Sequence, residues 1–437
     1  MRDGRSGRWC VGSETRYLGV GTRLHRGRLR ALDSNARYRR GVKDLPQKVS
    51  VAQSIHEIPA GDWDALVGHD NPFVEHAFLA ALEDSGSLGA NTGWLPAHVV
   101  VRAAEEPEAS GATPKLVAAT PSYVRTNSYG EYIFDWAWAD GARRGGLRYY
   151  PKVTTAVPFT PATGPRLLVH PQVDEESHRA LLGEALLGLA QASESSSVHV
   201  LFCSEQEARA LAPLGYLPRR SYQFHWHNEG WADFQDYMRS LRRKRRGEIG
   251  RERRRLRDHG VSLQLLRGDE ITQEHWALVD RLYRHTVRKR GGMPYLEPAF
   301  FLEQAPHRLA ERAVVVLAHR GSQWIGASLS FRRGSHLYGR YAGSLEPIPG
   351  LHFELCYYAL IEHAIQEKLS LFEAGAQGRH KLSRGLVPRS TWSAHWIRHP
   401  GLRDAIEEYV RVEGREVERD MESLGQRSPF REASLRS

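Results

Sequence analysis

The two halves of the chain repeat one order of predicted elements, and this repetition restricts the folds that the chain can adopt. In each half, two apolar strands precede a loop rich in proline or glycine, a long helix and a short strand. The segments of the first half are 97–102, 115–125, 149–169, 175–191 and 198–202. Those of the second half are 313–320, 323–332, 337–350, 351–368 and 369–373. Because helices alternate with strands, we predict an α/β fold with mixed sheets that is duplicated within the chain.

Charge sets the first residues apart from the rest of the sequence. The chain has 61 Lys and Arg against 51 Asp and Glu, a formal net charge of +10. Residues 1–48 hold 13 Lys and Arg and 4 Asp and Glu, so the remainder is nearly neutral. This segment is rich in glycine and lacks hydrophobic periodicity. We predict a disordered basic tail or an extension upstream of the real start, with an RNA-binding arm as the alternative.

The remaining sequence is long and apolar enough for two domains. Hydrophobic residues make up 41% of the chain, and we predict domains at 49–221 and 222–424 and a polar tail at 425–437. No segment approaches the ~18 consecutive apolar residues of a membrane span, and no apolar signal segment opens the chain. Cys10, Cys203 and Cys356 are far apart, which favours a cytoplasmic location and argues against disulfides.

Two polar loops in the second half are predicted to meet at the ends of adjacent strands. The first loop carries Gly343 and Gly350 and leads into a helix that begins at Leu351. Free backbone N–H groups at a helix start attract phosphates, so we predict that these three residues bind a cofactor. The second loop closes the strand 369–373, and its polar residues are Glu373, Gln377, Arg379, His380, Lys381 and Arg384. Together the two loops predict a site for an anionic ligand.

Six longer motifs resemble a family of predicted N-acyltransferases described as peptidoglycan biosynthesis or recognition proteins. The motifs are GEYIFDWAWAD at 130–140, YYPK at 149–152, PFTPATGPRLL at 158–168, LYGRY at 337–341, LHFELCYY at 351–358 and FEAGAQGRHKLSRG at 372–385. The resemblance covers about residues 50–415. This family is grouped with tandem acetyltransferase-like (GNAT) domains and is similar to the Fem-type aminoacyltransferases of cell-wall synthesis.

The resemblance implies two GNAT-like domains and an enzyme that transfers an acyl or aminoacyl group to an amine. The implied donor is acyl-CoA (acetyl-CoA) or aminoacyl-tRNA, and a cell-wall precursor is a candidate acceptor. Two positions depart from the family pattern. Ala342 replaces a tryptophan, and Arg340-x-x-Gly343-x-Leu345 matches only part of the pyrophosphate-binding loop. The alternative is a non-catalytic recognition protein that binds a peptidoglycan precursor or RNA through the same fold.

Acyl transfer to an amine requires a base, a stabilised oxyanion and a protonated leaving group. Glu373 closes an apolar strand and is the first candidate for the base, and His380 and Lys381 follow it as proton donors or anion ligands. Glu354 and His352 lie in the first turn of the predicted helix. A carboxylate there either serves the site or complements the helix dipole. We predict Glu373, His380, Glu354 and His352 as catalytic residues.

Substrate-binding residues are predicted in both halves. Asp135, Trp136 and Asp140 lie in an aromatic segment that forms either a ligand wall or part of the core. The other candidates are Tyr149, Lys152 and Arg166 in the first half, and Arg340, Tyr341, Gln377, Lys381 and Arg384 in the second. We expect Cys356 to be a small buried hydrophobic residue, with a covalent acyl carrier as the alternative.

A strongly basic helix is predicted over residues 240–258. Its cationic side chains would contact a phosphorylated acceptor or tRNA, or would pair with Glu248 and Glu252 on a salt-bridged surface helix. No metal is expected, because His225 and His227 share a strand face without a third ligand at a suitable spacing.

Overall fold

The computed structural model describes residues 47–103, 115–376 and 378–431. Nearly all of the predicted basic tail and the last residues of the predicted polar tail lie outside these ranges. Gln377, a predicted substrate-binding residue, also lies outside the described residues. What the sequence suggests for these positions stays a prediction.

Strands and α-helices alternate along the described chain. The strands are β1 Gln47–Ala52, β2 Trp94–Pro96, β3 His98–Ala103, β4 Leu116–Thr120, β5 Ser122–Arg125, β6 Lys152–Thr155, β7 Leu168–Val169, β8 Ser197–Cys203, β9 Leu217–His227, β10 Val261–Arg267, β11 Ala313–Arg320, β12 Gln323–Arg333, β13 His336–Ser344, β14 Leu371–Glu373 and β15 Val387–Ile397. The helices are α1 Ala60–Asp64, α2 His76–Asp84, α3 Trp136–Arg144, α4 Glu175–Ala192, α5 Glu205–Leu211, α6 Phe234–Ser240, α7 Arg243–Asp258, α8 Gln273–Lys289, α9 Ala305–Arg308, α10 Leu351–Phe353, α11 Ala359–Gln366 and α12 Pro400–Gly425. A π-helical turn, Glu354–Tyr358, joins α10 to α11, and a 3-10 turn, Arg379–Arg384, follows β14.

The strands form two sheets. The larger sheet has eleven strands in the order β10-β11-β12-β13-β14-β9-β15-β8-β6-β5-β2. The smaller sheet has four strands in the order β1-β3-β4-β7. Both halves of the chain therefore contribute to one continuous large sheet.

Each half contributes a similar three-stranded unit to the large sheet. In the first half, β5 pairs antiparallel with β6, and β6 pairs in parallel with β8 after the chain has passed through α4. In the second half, β12 pairs antiparallel with β13, and β13 pairs in parallel with β14 after the chain has passed through α10 and α11. A helix supplies the crossover that each parallel pair requires. The prediction of a mixed α/β fold with two related halves is confirmed.

The two units exchange their last strands. β9 follows the first unit in sequence but pairs with β14 of the second, whereas β15 follows the second unit and pairs with β8 of the first. β9 and β15 pair antiparallel with each other between the two units. The predicted domain boundary at 221/222 falls inside β9, and the division of the chain at that point stays a prediction.

One hydrophobic core is shared between the halves. Trp63 and Phe78 belong to the same cluster of buried residues as Trp276, Phe300 and Phe331. The ring centroid of Phe78 lies 6.0 Å from that of Phe300 and 5.9 Å from that of Phe331. Burial of a large apolar side chain contributes about 1.5–3 kcal/mol relative to its exposure, so separation of the halves would be costly.

Two predicted segments differ from their expected structure. Segment 115–125, predicted as one strand, is divided at Pro121 into β4 of the small sheet and β5 of the large sheet. Proline has no backbone N–H to donate to a ladder, and the chain passes between the sheets at this residue. Segment 149–169, predicted as a loop, contains the fully buried strand β6, which pairs with a strand on each side.

A fragment that ends at Tyr216 is expected not to fold as a separate domain. It retains β8 but lacks β15, so it would expose a backbone edge of a strand that is buried at every residue. We expect residues 47–216 to aggregate or to show no cooperative thermal transition by circular dichroism. Co-expression with residues 217–431 should restore a cooperative transition, and cooperative unfolding of the fragment alone would contradict the prediction.

Candidate functional site

A cleft of about 690 Å³ opens where two parallel strands separate. β13 and β14 pair only from His336 with Leu371 to Tyr338 with Glu373. Beyond this point, 339–342 line one side of the cleft and 374–376 line the other. The glycines and alanines of both segments leave the space between the diverging strands open.

Both halves of the chain line the cleft. The second half supplies residues from α8 and the segment after it, from β12, from the π turn and from the 3-10 turn after β14. These residues include Tyr283, Thr286, Val287, Arg290, Met293, Tyr295, Ser328, Ser330, His352, Cys356, Tyr357, His380 and Lys381. The first half supplies Tyr132, Phe134 and Pro161. The ring of Phe159 stacks on Tyr295 at a centroid distance of 5.2 Å and joins the two contributions.

The charge of the cleft is positive. Arg290, Arg340 and Lys381 line it, and among its described lining residues there is no Asp or Glu. Burial lowers the pKa of Lys381 to about 8, and its Nζ donates to the carbonyl of Gly375 at 2.6 Å. The guanidinium of Arg340 donates to the carbonyl of Phe159 in the first half. An anionic ligand is the type of ligand that this lining favours.

Two histidines lie side by side on the cleft wall. Nε2 of His380 lies 2.9 Å from the hydroxyl oxygen of Tyr357, and Nδ1 of His352 lies 3.4 Å from Sγ of Cys356. Both side chains keep an exposed part, but desolvation of their rings in the cleft, with the cations around them, lowers the pKa of both imidazoles, and that of His352 falls to about 4. Both rings are therefore neutral near pH 7 and can accept a proton.

Five predicted site residues line the cleft: His352, His380, Arg340, Tyr341 and Lys381. The aromatic ring of Tyr341 packs between Tyr283 and Phe301, as expected for a pocket wall. Cys356, expected to be buried, is half-buried and lines the cleft, where it contacts His352, four residues earlier in the chain.

Glu373, the first candidate for the base, does not line the cleft. Its side chain is buried, and Oε2 accepts the backbone N–H of Thr163 at 3.2 Å. In the sheet, Glu373 lies between Tyr338 of β13 and His225 of β9. Its Oε2 is 3.9 Å from Nε2 of His225. Burial raises the pKa of Glu373 to about 8, against the effect of Thr163 and of Arg166. Glu373 therefore links the two halves and is protonated near pH 7.

Glu354 also points away from the cleft. Its carboxylate pairs with Arg253 of α7 at 2.8 Å, and Arg253 also pairs with Glu362 of α11 at 2.7 Å. Burial raises the pKa of Glu354, and Arg253 opposes that effect. Arg253 thus joins the basic helix α7 to the π turn and to α11. Arg384, another predicted binding residue, pairs with Glu252 of α7 at 3.0 Å, and its guanidinium lies over the ring of Phe353.

The predicted ligand wall of the first half is a buried ionic cluster. Nζ of Lys152 lies 2.7 Å from Glu131 and 2.5 Å from Asp135, and the hydroxyl of Tyr149 donates to Asp135 at 2.7 Å. Burial favours a raised pKa at Asp135, but Lys152 and the Tyr149 hydroxyl hold this pKa below its usual value. Asp135 is therefore paired with Lys152 and hydrogen-bonded to Tyr149 inside the protein, and none of the three residues lines the cleft.

Three other first-half candidates also lie outside the cleft. Asp140 is on the surface of α3, where it pairs with Arg143 and Arg144, and Trp136 is exposed against Tyr129. Arg166 is fully buried. Its guanidinium donates to backbone carbonyls of residues 162, 164, 165 and 201, which closes the opening between β6 and β8.

The predicted cofactor-binding residues do not fit a pyrophosphate. Gly343 is still in β13, and a Cβ there would lie 2.6 Å from the carbonyl of Leu282. Gly350 packs against Glu252 of α7, and Leu351 is buried. The start of α10 thus packs against the backbone of α7. Gly343, Gly350 and Leu351 do not line the cleft, and coenzyme A binding at this loop stays a prediction.

Arg290, Tyr283 and Tyr295 were not predicted as site residues. They lie on α8 and the segment after it, and this part of the chain does not directly follow a strand, where site residues are expected. The available signal in the sequence is the run from Arg288 to Tyr295, in which three cations precede two glycines and a proline. In the described ranges, no three His, Cys, Asp or Glu side chains are grouped as a metal site, and no helix is long and apolar enough to cross a membrane.

Comparison with known proteins identifies the family. The sequence profile of the FemAB-like family, described as peptidoglycan biosynthesis/recognition, matches residues 54–432. The chain belongs to the FemAB-like family. The resemblance found in the sequence motifs is therefore confirmed, and the match spans both halves of this FemAB-like protein. A search of curated proteins found no match.

Solved structures align with this FemAB-like protein over most of its length. FemX shares 12% identity at a TM-score of 0.48, with 80% of this chain and 98% of FemX covered. L-PGS from Bacillus licheniformis shares 10% identity at a TM-score of 0.44, with 79% and 98% covered. A tandem GNAT protein from the clavulanic acid biosynthesis pathway shares 12% identity at a TM-score of 0.39, with 81% and 99% covered.

The variant Glu373→Gln is expected to remove a pH-dependent loss of stability. The pKa of Glu373 is raised from 4.5 to about 8 in the folded protein. Its contribution to the free energy of unfolding is therefore full below pH 4.5 and is lost as the pH rises towards 8. The loss is at most about 1.4 kcal/mol per pH unit. Thermal unfolding should show the variant equal to wild type at pH 4.5 and more stable at pH 8. Glu416→Gln, an exposed control on α12, should keep the wild-type slope, and equal slopes for both variants would contradict the burial argument.

The variant Lys152→Met is expected to destabilise the protein strongly. It leaves the buried carboxylate of Asp135 without its cation, whereas Glu131 keeps Arg125, and the loss costs about 3–5 kcal/mol of unfolding free energy. Arg143→Met removes the same charge from the exposed surface of α3 and should change stability little, because surface ion pairs contribute little. Urea denaturation of both variants provides the comparison, and similar midpoints would exclude a structural role for the cluster.

Proposed function

We propose that this FemAB-like protein is an acyltransferase that moves an acyl or aminoacyl group from an activated donor to an amine in the cleft. The observation that carries the proposal is the cleft itself, which lies between the diverging strands β13 and β14 and is lined by both halves. It combines cationic side chains with two neutral imidazoles and has no carboxylate among its described lining residues. The family's description as peptidoglycan biosynthesis or recognition proteins makes a cell-wall precursor a candidate acceptor.

Charge and shape divide the proposed roles within the cleft. Arg290 and Lys381 would bind phosphate or carboxylate groups of the ligands. The aromatic side chains of Tyr132, Phe134 and Tyr295 form an apolar wall that would hold the acyl group or the acceptor away from water. This arrangement suits either an ester or a thioester donor, and acyl-CoA and aminoacyl-tRNA both remain candidates.

His380 and Tyr357 would move the proton that the reacting amine must lose. With Nδ1 protonated, Nε2 of His380 accepts the hydrogen of the Tyr357 hydroxyl at 2.9 Å. The tyrosine oxygen can then take a proton from the amine, and the imidazole becomes charged. Burial raises the pKa of Tyr357, so the hydroxyl stays protonated between turnovers and can pass a proton to the leaving group. Positioning of donor and amine in one cleft would contribute much of the remaining rate.

The donor can be identified by its effect on the stability of the full-length chain. A ligand that binds only the native state adds about 2.7 kcal/mol of stability at 100 times its dissociation constant. Thermal-shift titrations with free CoA, acetyl-CoA and aminoacyl-tRNA therefore discriminate between the donors. A rise with one of them selects the donor for the transfer assay with amine acceptors, including a peptidoglycan precursor.

The variant His380→Gln is expected to lower kcat by about 10²–10⁴-fold while donor binding is retained, because glutamine cannot accept a proton. Tyr357→Phe should lower kcat in the same way. The double variant should be no slower than the slower single variant, since both residues act as one relay.

His307→Gln is a matched control, because His307 is exposed on α9 and does not line the cleft. It should keep the wild-type kcat. Binding of donor and acceptor without turnover in the wild type would instead favour a non-catalytic recognition protein. Wild-type turnover in His380→Gln would exclude the proposed relay.

A further inference from the structure

Cys356 and His352 form a thiol–imidazole pair on the wall of the cleft. Cys356 lies within the π-helical turn between α10 and α11, and such turns are frequent at functional sites. Nδ1 of His352 lies 3.4 Å from Sγ of Cys356, and both side chains line the cleft. The contact therefore involves a thiol that a ligand in the cleft can reach.

The resting pair consists of a protonated thiol and a neutral imidazole. Burial raises the pKa of the Cys356 thiol to about 12, although Lys381 and Arg290 favour its thiolate. The resting thiol is therefore protonated, and attack on a carbonyl needs a neighbouring base. His352 is neutral near pH 7, since burial lowers its pKa to about 4. An imidazole with this pKa is a weak base towards the resting thiol, so Nδ1 of His352, 3.4 Å from Sγ, takes the thiol hydrogen as the sulfur–carbon bond forms.

A buried hydroxyl group without a partner belongs to a residue that lines the same cleft. Ser330 on β12 is fully buried and lines the cleft, and its Oγ has no hydrogen-bond partner among the described residues. Ser328, two residues earlier on the same strand face, donates to the carbonyl of Leu355 at 2.7 Å, next to Cys356. An unpaired buried hydroxyl is costly unless a ligand satisfies it. A carbonyl oxygen that becomes negative during attack by Cys356 is a suitable acceptor.

We propose that Cys356, with His352 as its base, accepts the acyl group as a thioester before the group passes to the amine. This inference rests on the proposed function and specifies its route. In the first step, the Sγ–carbonyl bond forms, the thiol proton moves to His352, and the bond from the carbonyl to its carrier breaks. The carrier leaves with the proton from His352. The Ser330 hydroxyl donates to the oxyanion during this step.

In the second step, the amine nitrogen attacks the carbonyl carbon of the thioester. The carbon–nitrogen bond forms and the carbon–sulfur bond breaks. The amine loses one proton through Tyr357 and His380, and that proton returns to the Cys356 sulfur. The chemistry needs no oxidant, reductant or metal, because both steps are displacements at one carbonyl group.

An active-ester assay on the full-length chain tests the thiol without a natural donor. p-Nitrophenyl acetate is added in the absence of amine, p-nitrophenolate release is followed by absorbance, and the acetylated peptide is located by mass spectrometry after acid quenching. We expect a stoichiometric burst and an acetyl group on Cys356. Cys356→Ala should abolish the burst, and His352→Gln should slow it about 100-fold. Cys10→Ser is the matched thiol control and should leave the burst unchanged.

Cys356→Ser keeps the size of the side chain and is therefore expected to fold like the wild type, with an unchanged melting temperature. Its burst should fall about 100-fold, because a hydroxyl is a weaker nucleophile than a thiol. A burst that persists in Cys356→Ala, an acetyl group on another residue, or no burst in the wild type would overturn the inference. In the amine-transfer assay, wild-type transfer by Cys356→Ala would overturn the thioester route and leave the proposed function intact. A burst that depends on Cys356 without transfer to any amine would count against the proposed function alone.

Discussion

The backbone pairing of β9 with β15 runs from Leu217 opposite His395 to Val387 opposite His225. Each of these strands comes from one half of the chain and pairs on its other side with the unit of the other half. The eleven-stranded sheet is continuous only because of this exchange. Backbone hydrogen bonds of a buried strand cannot be left unpaired without a cost of roughly 1–3 kcal/mol for each group, so the two halves depend on each other. The shared core around Phe78, Phe300 and Phe331 adds to that dependence.

The cleft follows from the same arrangement. β14 is held between β13 and β9 for only three residues, after which the chain turns away and the space beside β13 stays open. The first half then covers one side of this space. Glu373 accepts the N–H of Thr163 and Arg340 donates to Phe159, so two polar contacts hold the first-half loop against the second half. In the first half, Arg166 donates to the carbonyls of Ala162 and Leu201 beside the parallel pair β6 and β8.

Buried charges in this protein stabilise contacts between elements more often than they serve the cleft. Lys152 joins Glu131 and Asp135 across the first half, and Arg253 joins α7 to the π turn through Glu354. Each charge is paired inside the protein, where an unpaired one would be strongly destabilising. The cleft differs, because it is lined by cations and imidazoles and has no carboxylate among its described lining residues.

The sequence by itself determined the mixed α/β class, the repetition of the two halves, the family and five of the residues that line the cleft. These features follow from local hydrophobic patterns and from motifs that lie within single segments. Only the tertiary structure decided that Glu373, Glu354, Asp135 and Lys152 turn away from the cleft, and that Arg290 and Cys356 face it. The side of a strand or helix that becomes buried depends on its partners. Here those partners are up to 210 residues away in sequence, as in the contact between Thr163 and Glu373, and no local pattern records them.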